Sequence, residues 1–173
     1  MSILPPKPNQ HAAPLYVGQV SEHAVIFNTH GDLLMLQHNG GGMGPNDPRP
    51  SSALYGRWHL PGGRLNADDQ PVQGLLREIE EETGLRNVRI IMPCHTSRWG
   101  FDTPVKYSVT YLATVQGQPM VRLPDNEHAM AYEWFSPSEI NKLAMLTPTH
   151  HEVVNAAISW AKRLGIIDDK ILR

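Results

Sequence analysis

The sequence predicts an α/β domain with helix layers on both faces of one sheet, and three observations lead there. Short β-branched and aromatic runs alternate with amphipathic stretches of helical period. No repeat and no linker divides the 173 residues into two cores. A chain of this length can also bury a sizeable single core. The expected organisation is an irregular N-terminal arm over residues 1–14 and one domain over residues 15–173.

The elements follow in order. Pro5, Pro6, Pro8 and Pro14 block both helix and ladder in the arm. Tyr16 to Asn28, with Ala24-Val25-Ile26-Phe27 at its centre, reads as a strand, and Thr29 to Asp32 as the turn into a second strand, Leu33 to Gln37. Asn39 to Gly56 is rich in Gly, Pro, Asn and Ser; such a loop is either a lid over a ligand or a surface insertion. Trp58 to Gly63 reads as a short strand ending in a tight Gly-Gly loop. A helix then begins between Asp68 and Pro71, capped by Asp68 or Asp69, with Pro71 in its first turn and Gly84 closing it. Val88 to Met92, Tyr107 to Val115 and Ala131 to Phe135 read as strands, and His95 to Asp102 as the segment between the first two. Pro137 to Leu143 reads as a short helix. Pro148 to Leu164 reads as a longer one, with Val153, Val154, Ala157, Ile158 and Ala161 on one face.

Composition narrows the class. Fifteen basic against 17 acidic residues give a formal charge of −2, so nucleic acid is not an expected partner and an anionic ligand must be met by local charge. Cys94 is the only cysteine, which excludes an intrachain disulfide and a cysteine-built zinc site; it reads as a small buried hydrophobe. No apolar run is long enough to span a membrane and Met1 to Pro14 lacks the core of a signal peptide, so a cytoplasmic location is expected. A homodimer is left open.

The helix after the Gly-Gly loop carries the chemistry. At about 100° per residue, Glu78, Glu81 and Glu82 share one face, while Val72, Leu75, Leu76 and Ile79 gather on the core-facing side. Acidic runs on amphipathic helices are commonly solvated faces that bind nothing. Here a glycine loop and a carboxylate helix lie within ten residues of each other, which suits a metal-bound phosphate. Oxygen ligands with positions left open fit Mg2+ or Mn2+.

This segment resembles the signature of the Nudix hydrolases, G-x5-E-x7-R-E-U-x-E-E-x-G-U with U a bulky aliphatic residue. Gly63 is followed after five residues by Asp69, and after seven more by Arg77-Glu78-Ile79-Glu80-Glu81-Glu82-Thr83-Gly84-Leu85. Asp69 is the one departure, standing where the family has Glu. The resemblance implies an α/β/α sandwich with a mixed sheet, Mg2+ or Mn2+ as cofactor, and a small nucleotide substrate. It makes Glu78, Glu81, Glu82 and Gly63 the metal-site residues and Arg77 the residue that orients the carboxylates by a bidentate hydrogen bond. The implied reaction is hydrolysis of a nucleoside diphosphate linked to another group. Gly62, Gly63 and Arg64 lie where the substrate approaches. Arg98 is a candidate for phosphate, and Trp99 and Phe101 for stacking on a base or folding back on a core edge.

A second segment, Leu123-Pro124-Asp125-Asn126-Glu127-His128 before Tyr132-Glu133-Trp134, resembles the GDP-mannose mannosyl hydrolases of the same family, as does Trp58 to Arg64. The resemblance makes His128 a candidate general base; Glu127 competes for that role, and His128 as a plain loop residue is the alternative. That branch displaces at sugar carbon with part of the carboxylate set lost. This chain keeps the full set, which favours diphosphate cleavage, with nucleotide sugars the leading substrate class. A glycosyl hydrolase, or a non-catalytic sensor of a nucleotide sugar, is the competing reading.

Overall fold

The computed structural model describes residues 18–41, 51–99, 105–125 and 128–168. The expected arm over 1–14, the middle of the 39–56 loop, Phe101 and Glu127 lie outside the described residues. The elements are β1 (Gly18–Phe27), β2 (Leu33–His38), α1 (Ser51–Leu54), β3 (Trp58–His59), β4 (Gly62–Arg64), α2 (Pro71–Thr83), β5 (Arg89–Trp99), β6 (Val105–Thr114), β7 (Ala129–Phe135), a 3-10 turn (Ile140–Lys142) and α3 (Thr149–Arg163).

The sheet is mixed. Its order is β3-β2-β1-β6-β5, with β4 also paired to β1 and β7 to β2. β1 runs parallel to β6 over its whole length, from Gly18 opposite Val105 to Phe27 opposite Thr114, and the other pairs are antiparallel. Because side chains alternate along a strand, the fully buried run Ala24-Val25-Ile26-Phe27 serves two cores. Ala24 and Ile26 pack with Leu75 and Ile79 of α2, whereas Val25 and Phe27 pack with Val154, Ala157, Ile158 and Ala161 of α3. That division makes the α/β/α sandwich. Burial of each large apolar side chain contributes roughly 1.5–3 kcal/mol, so β1 is the element through which both layers are joined.

Several expectations are corrected. The Gly-Gly segment is a strand as well as a loop: β4 pairs antiparallel with β1, Glu22 opposite Gly63 and His23 opposite Gly62. Residues 51–54 form a helical turn within the expected loop. Residues 95–99 continue β5, because Thr96, Ser97, Arg98 and Trp99 pair with Val109, Ser108, Tyr107 and Lys106 of β6. The expected 137–143 helix reduces to the single 3-10 turn. Val72 stays 40 % exposed instead of joining the core.

Candidate active site

α2 begins at Pro71, where the missing N–H costs little, and ends at Gly84, whose φ of 70° and N–H to the Glu80 carbonyl (2.8 Å) form a left-handed cap. Asp69 does not cap this helix. Gln70 occupies the N-cap without a side-chain bond, and the Asp69 carboxylate turns instead to Arg77, at 2.9 Å, while accepting the Asn66 N–H at 3.1 Å. The Arg77 guanidinium holds the Asp69 carboxyl below the usual range.

Arg77 is the hub of the cluster. Its Nη1 lies 2.8 Å from Glu78 Oε1 and 2.8 Å from Glu81 Oε2, while Nη2 takes Asp69. It therefore serves three carboxylates one oxygen each, not one carboxylate bidentately as expected. The hydrogen bond to Asp69 is the leading cause of a guanidinium pKa raised above its already high ordinary value, with Glu78 and Glu81 adding to it. Glu80, on the outer face, pairs with Arg86 at 2.7 Å.

The glycines admit the helix to the strand. A Cβ on Gly63 would lie 2.0 Å from Glu78 Oε2, so the Glu78 carboxylate occupies the space a side chain would need. Gly62 has φ of 129°, and a Cβ there would meet the Glu22 carbonyl at 2.2 Å. Only glycine fits that conformation and approach. The Gly62 N–H donates to Glu82 Oε2 at 2.8 Å, which ties the loop to the helix one turn beyond Glu78.

Sequence reasoning missed Glu22. It lies on β1 two residues before Ala24, hence on the α2 face, and is 2 % exposed. The Tyr111 hydroxyl donates to Glu22 Oε1 at 3.2 Å, whereas Oε2 has no partner among the described residues. Burial raises the Glu22 pKa, the Tyr111 bond lowers it and the Asp69 charge raises it, with a net rise. The signal was present: an acid in register with Ala24 and Ile26 must enter the interior.

Histidines stand on both faces of the sheet: His59 and His38 pair with Leu36 and Ala129 of the α2-side core, whereas His23 shares the α3 face with Val25 and Phe27. His59 donates from Nδ1 to the Leu60 carbonyl at 3.1 Å, leaving Nε2 buried without a partner among the described residues. His38 lies edge-on to His59, at 5.6 Å between ring centroids, and His128 stacks on His38 at 5.8 Å. His23 meets Ser108 Oγ at 3.1 Å and stands edge-on to His150 at 6.5 Å. Burial lowers the pKa of His59 to about 3 and of His23 to about 4.

The remaining candidates spread more widely. His128 is exposed at the entry to β7, its carbonyl accepting the Asn39 N–H at 2.7 Å. Arg64 is exposed on β4, opposite Ser21. Arg98 is exposed on β5 opposite Tyr107, Trp99 ends that strand opposite Lys106, and Phe101 and Glu127 fall outside the described residues. Cys94 is half-buried, its thiol 3.4 Å from the Thr110 carbonyl and its pKa pushed up to about 11 by burial, as suits an inert packing residue.

Among the described residues no three His, Cys, Asp or Glu side chains already converge to hold a metal ion. Arg77 draws Glu78 and Glu81, and the Gly62 N–H draws Glu82. The donor set nevertheless fits a hard divalent cation: carboxylate oxygens from one helix, a side-chain-free strand facing them, and a buried carboxylate oxygen left over.

The fold is thus a mixed α/β/α sandwich that sets a carboxylate helix against a glycine strand. The NUDIX domain family model matches residues 19–157. The chain belongs to the Nudix hydrolase family. It is 36 % identical over 62 residues to the 8-oxo-dGDP phosphatase NUDT18 of Danio rerio, covering 36 % of this chain and 16 % of that protein. With the RNA pyrophosphohydrolase of Zymomonas mobilis it shares 25 % over 116 residues, covering 57 % of this chain and 75 % of that protein. The chain thus spans a minor part of the first relative and most of the second. An Ap4A hydrolase structure from C. elegans superposes with a TM-score of 0.63 at 18 % identity, over 86 % of this chain and 99 % of that one, a likeness of fold. None of the helices among the described residues is long and apolar enough to cross a membrane.

Proposed function

We propose that this protein is a Mg2+- or Mn2+-dependent hydrolase that cleaves the diphosphate of a nucleoside diphosphate linked to a second moiety, with nucleotide sugars the leading substrate class. The observation that carries the reading is the complete set Glu78, Glu81 and Glu82 on α2, the first two held by Arg77 and the third by the Gly62 N–H, set against Gly62 and Gly63. A bound divalent ion would neutralise diphosphate charge and lower the pKa of attacking water. Glu78, Glu81, Glu82 and the Gly63 carbonyl would hold it.

The chain's own groups do the rest. Arg77 keeps Asp69, Glu78 and Glu81 in one arrangement despite their mutual repulsion, so that little reorganisation is needed when the substrate arrives. Glu82 fixes the Gly62 N–H, and the absent side chains at Gly62 and Gly63 let a phosphate approach the backbone closely. Arg64 on β4, with Arg98, would meet substrate charge; Trp99 and Phe101 would stack on the base. His128, or Glu127 beside it, would accept the proton from the attacking water. The names of the relatives, an RNA pyrophosphohydrolase and an Ap4A hydrolase among them, support cleavage between phosphorus atoms.

The segment Leu123 to His128 favours a second reading, attack at a sugar carbon, as in the branch it resembles. Turnover in ¹⁸O-labelled water separates the two. A panel of nucleotide sugars, dinucleoside polyphosphates and nucleoside triphosphates is assayed with Mg2+ and Mn2+, and label is expected in a phosphate product. Label only in free sugar establishes the second reading instead. Binding of the panel without turnover would make the protein a sensor.

A further inference from the structure

The motif carboxylates all come from α2, yet one more carboxylate reaches the same place from the sheet. Glu22 stands directly opposite Gly63 in the antiparallel β1–β4 ladder. Residues so paired project their side chains to the same face, with Cβ atoms about 4.5–5.5 Å apart. The direction of a Gly63 side chain is known, because its Cβ would strike Glu78 Oε2 at 2.0 Å. Glu22 therefore points into the space beside the Glu78 carboxylate. Gly62, the residue before Gly63 on β4, donates its N–H to Glu82.

Glu22 is also built to offer an oxygen there. It is 2 % exposed, its Oε1 is fixed by the Tyr111 hydroxyl at 3.2 Å, and Oε2 has no partner among the described residues. A buried carboxylate oxygen next to other carboxylates is unfavourable unless a cation answers it. We propose that Glu22 is a further ligand of the divalent-cation site, supplied by β1 and aimed by Tyr111, so that the ion is held from the sheet as well as from the helix. The proposal rests on the reading of α2 as the cation-binding helix.

Binding of Mn2+ to the full-length protein, followed by the loss of its free-ion electron paramagnetic resonance signal, tests this without substrate. The wild-type protein should bind Mn2+, and Glu82→Gln should weaken it. Glu22→Gln should weaken it by about 10–100-fold, the range seen when groups close to a metal are removed. Its thermal midpoint in EDTA should be unchanged or higher, because a neutral amide replaces a buried acid. Unaltered Mn2+ affinity in Glu22→Gln, with Glu82→Gln impaired, overturns the role of Glu22 and leaves the helix reading intact. A wild-type protein that binds no Mn2+ overturns both. Should Glu22→Gln fail to fold, Glu22→Asp carries the test: the oxygen is withdrawn by one methylene, and unchanged affinity again overturns the proposal.

Discussion

Gly62 and Gly63 are adjacent and chemically identical, yet their contacts predict different failures. A methyl group on Gly63 would meet the far end of a flexible side chain, Glu78 Oε2 at 2.0 Å, which can swing aside. Gly63→Ala should therefore fold with a near-normal thermal midpoint while losing at least ~100-fold in turnover, the scale of a 1 Å misplacement at a reacting centre. At Gly62 the obstacle is backbone, the Glu22 carbonyl at 2.2 Å, in a chain held at φ of 129°. Gly62→Ala should lose folded protein before it loses catalysis, as circular dichroism and a thermal melt on both variants would show. Equal behaviour of the two would refute the packing argument. Asp69 belongs to the same scale: its carboxylate packs against the bare Cα of Gly74, whose Cβ would lie 3.1 Å from Asp69 Cβ and Oδ2, and from there it reaches Arg77. The one departure from the family signature thus keeps its charge in contact with the motif arginine.

Among the elements, α2 was the most legible and β5 the least. The periodicity of Leu75 and Ile79, Pro71 at the start and Gly84 at the end are local signals, and the helix follows them closely. The length of β5 depends on a partner distant in sequence: residues 95–99 look like a connection until β6 offers Lys106 to Thr110 as a ladder. Pro93 within β5 falls in a stretch where the register shifts, which is how a residue without an N–H is tolerated in a strand. The site divides along the same line. Glu78, Glu81 and Glu82 were readable from spacing within one helix, whereas Glu22 and the histidine group assemble only when β1, β3 and α3 come together. At this scale the left-handed cap makes a separate prediction. Gly84 has φ of 70°, and a Cβ would lie 3.3 Å from Arg122 Cβ. Gly84→Ala should destabilise by about 1 kcal/mol, the cost of a Cβ in the left-handed region. That corresponds to a melting temperature lower by about 2–4 °C in a chain of this size, with kcat little changed. Calorimetry and a steady-state assay on the same preparation check both halves; a variant as stable as wild type would mean that the C-terminal turn of α2 contributes little.

For the whole molecule, two buried histidines, His23 and His59, set the response to acid. His59 and His23 are ordinarily half-protonated near 6.5, but burial lowers them to about 3 and about 4, and His59 adds to the pressure on His23. His38, His150 and His128 add to the pressure on His59, while its bond to the Leu60 carbonyl opposes it. In the unfolded chain His23 and His59 protonate below about pH 6.5, and in the folded chain only near pH 4 and 3. The unfolded state therefore binds more protons throughout that interval, and stability, full above pH 6.5, declines as pH falls toward 4 and then 3. The slope approaches about 1.4 kcal/mol per pH unit for each histidine held neutral. Glu22 acts in the opposite sense: its raised pKa favours the folded state in acid and withdraws that support as pH rises past its folded value, which partly offsets the histidines at the lower end of the window. Asp69, whose pKa is lowered by Arg77, loses its contribution only at lower pH still. Urea midpoints measured from pH 7.5 to 5 should accordingly fall steadily below pH 6.5. His59→Asn, whose amide can still donate to the Leu60 carbonyl, should shallow that decline while leaving the pH 7.5 midpoint near its original value. A wild-type midpoint independent of pH across this range would show that His23 and His59 take up protons within the folded protein, and that their burial does not hold them neutral.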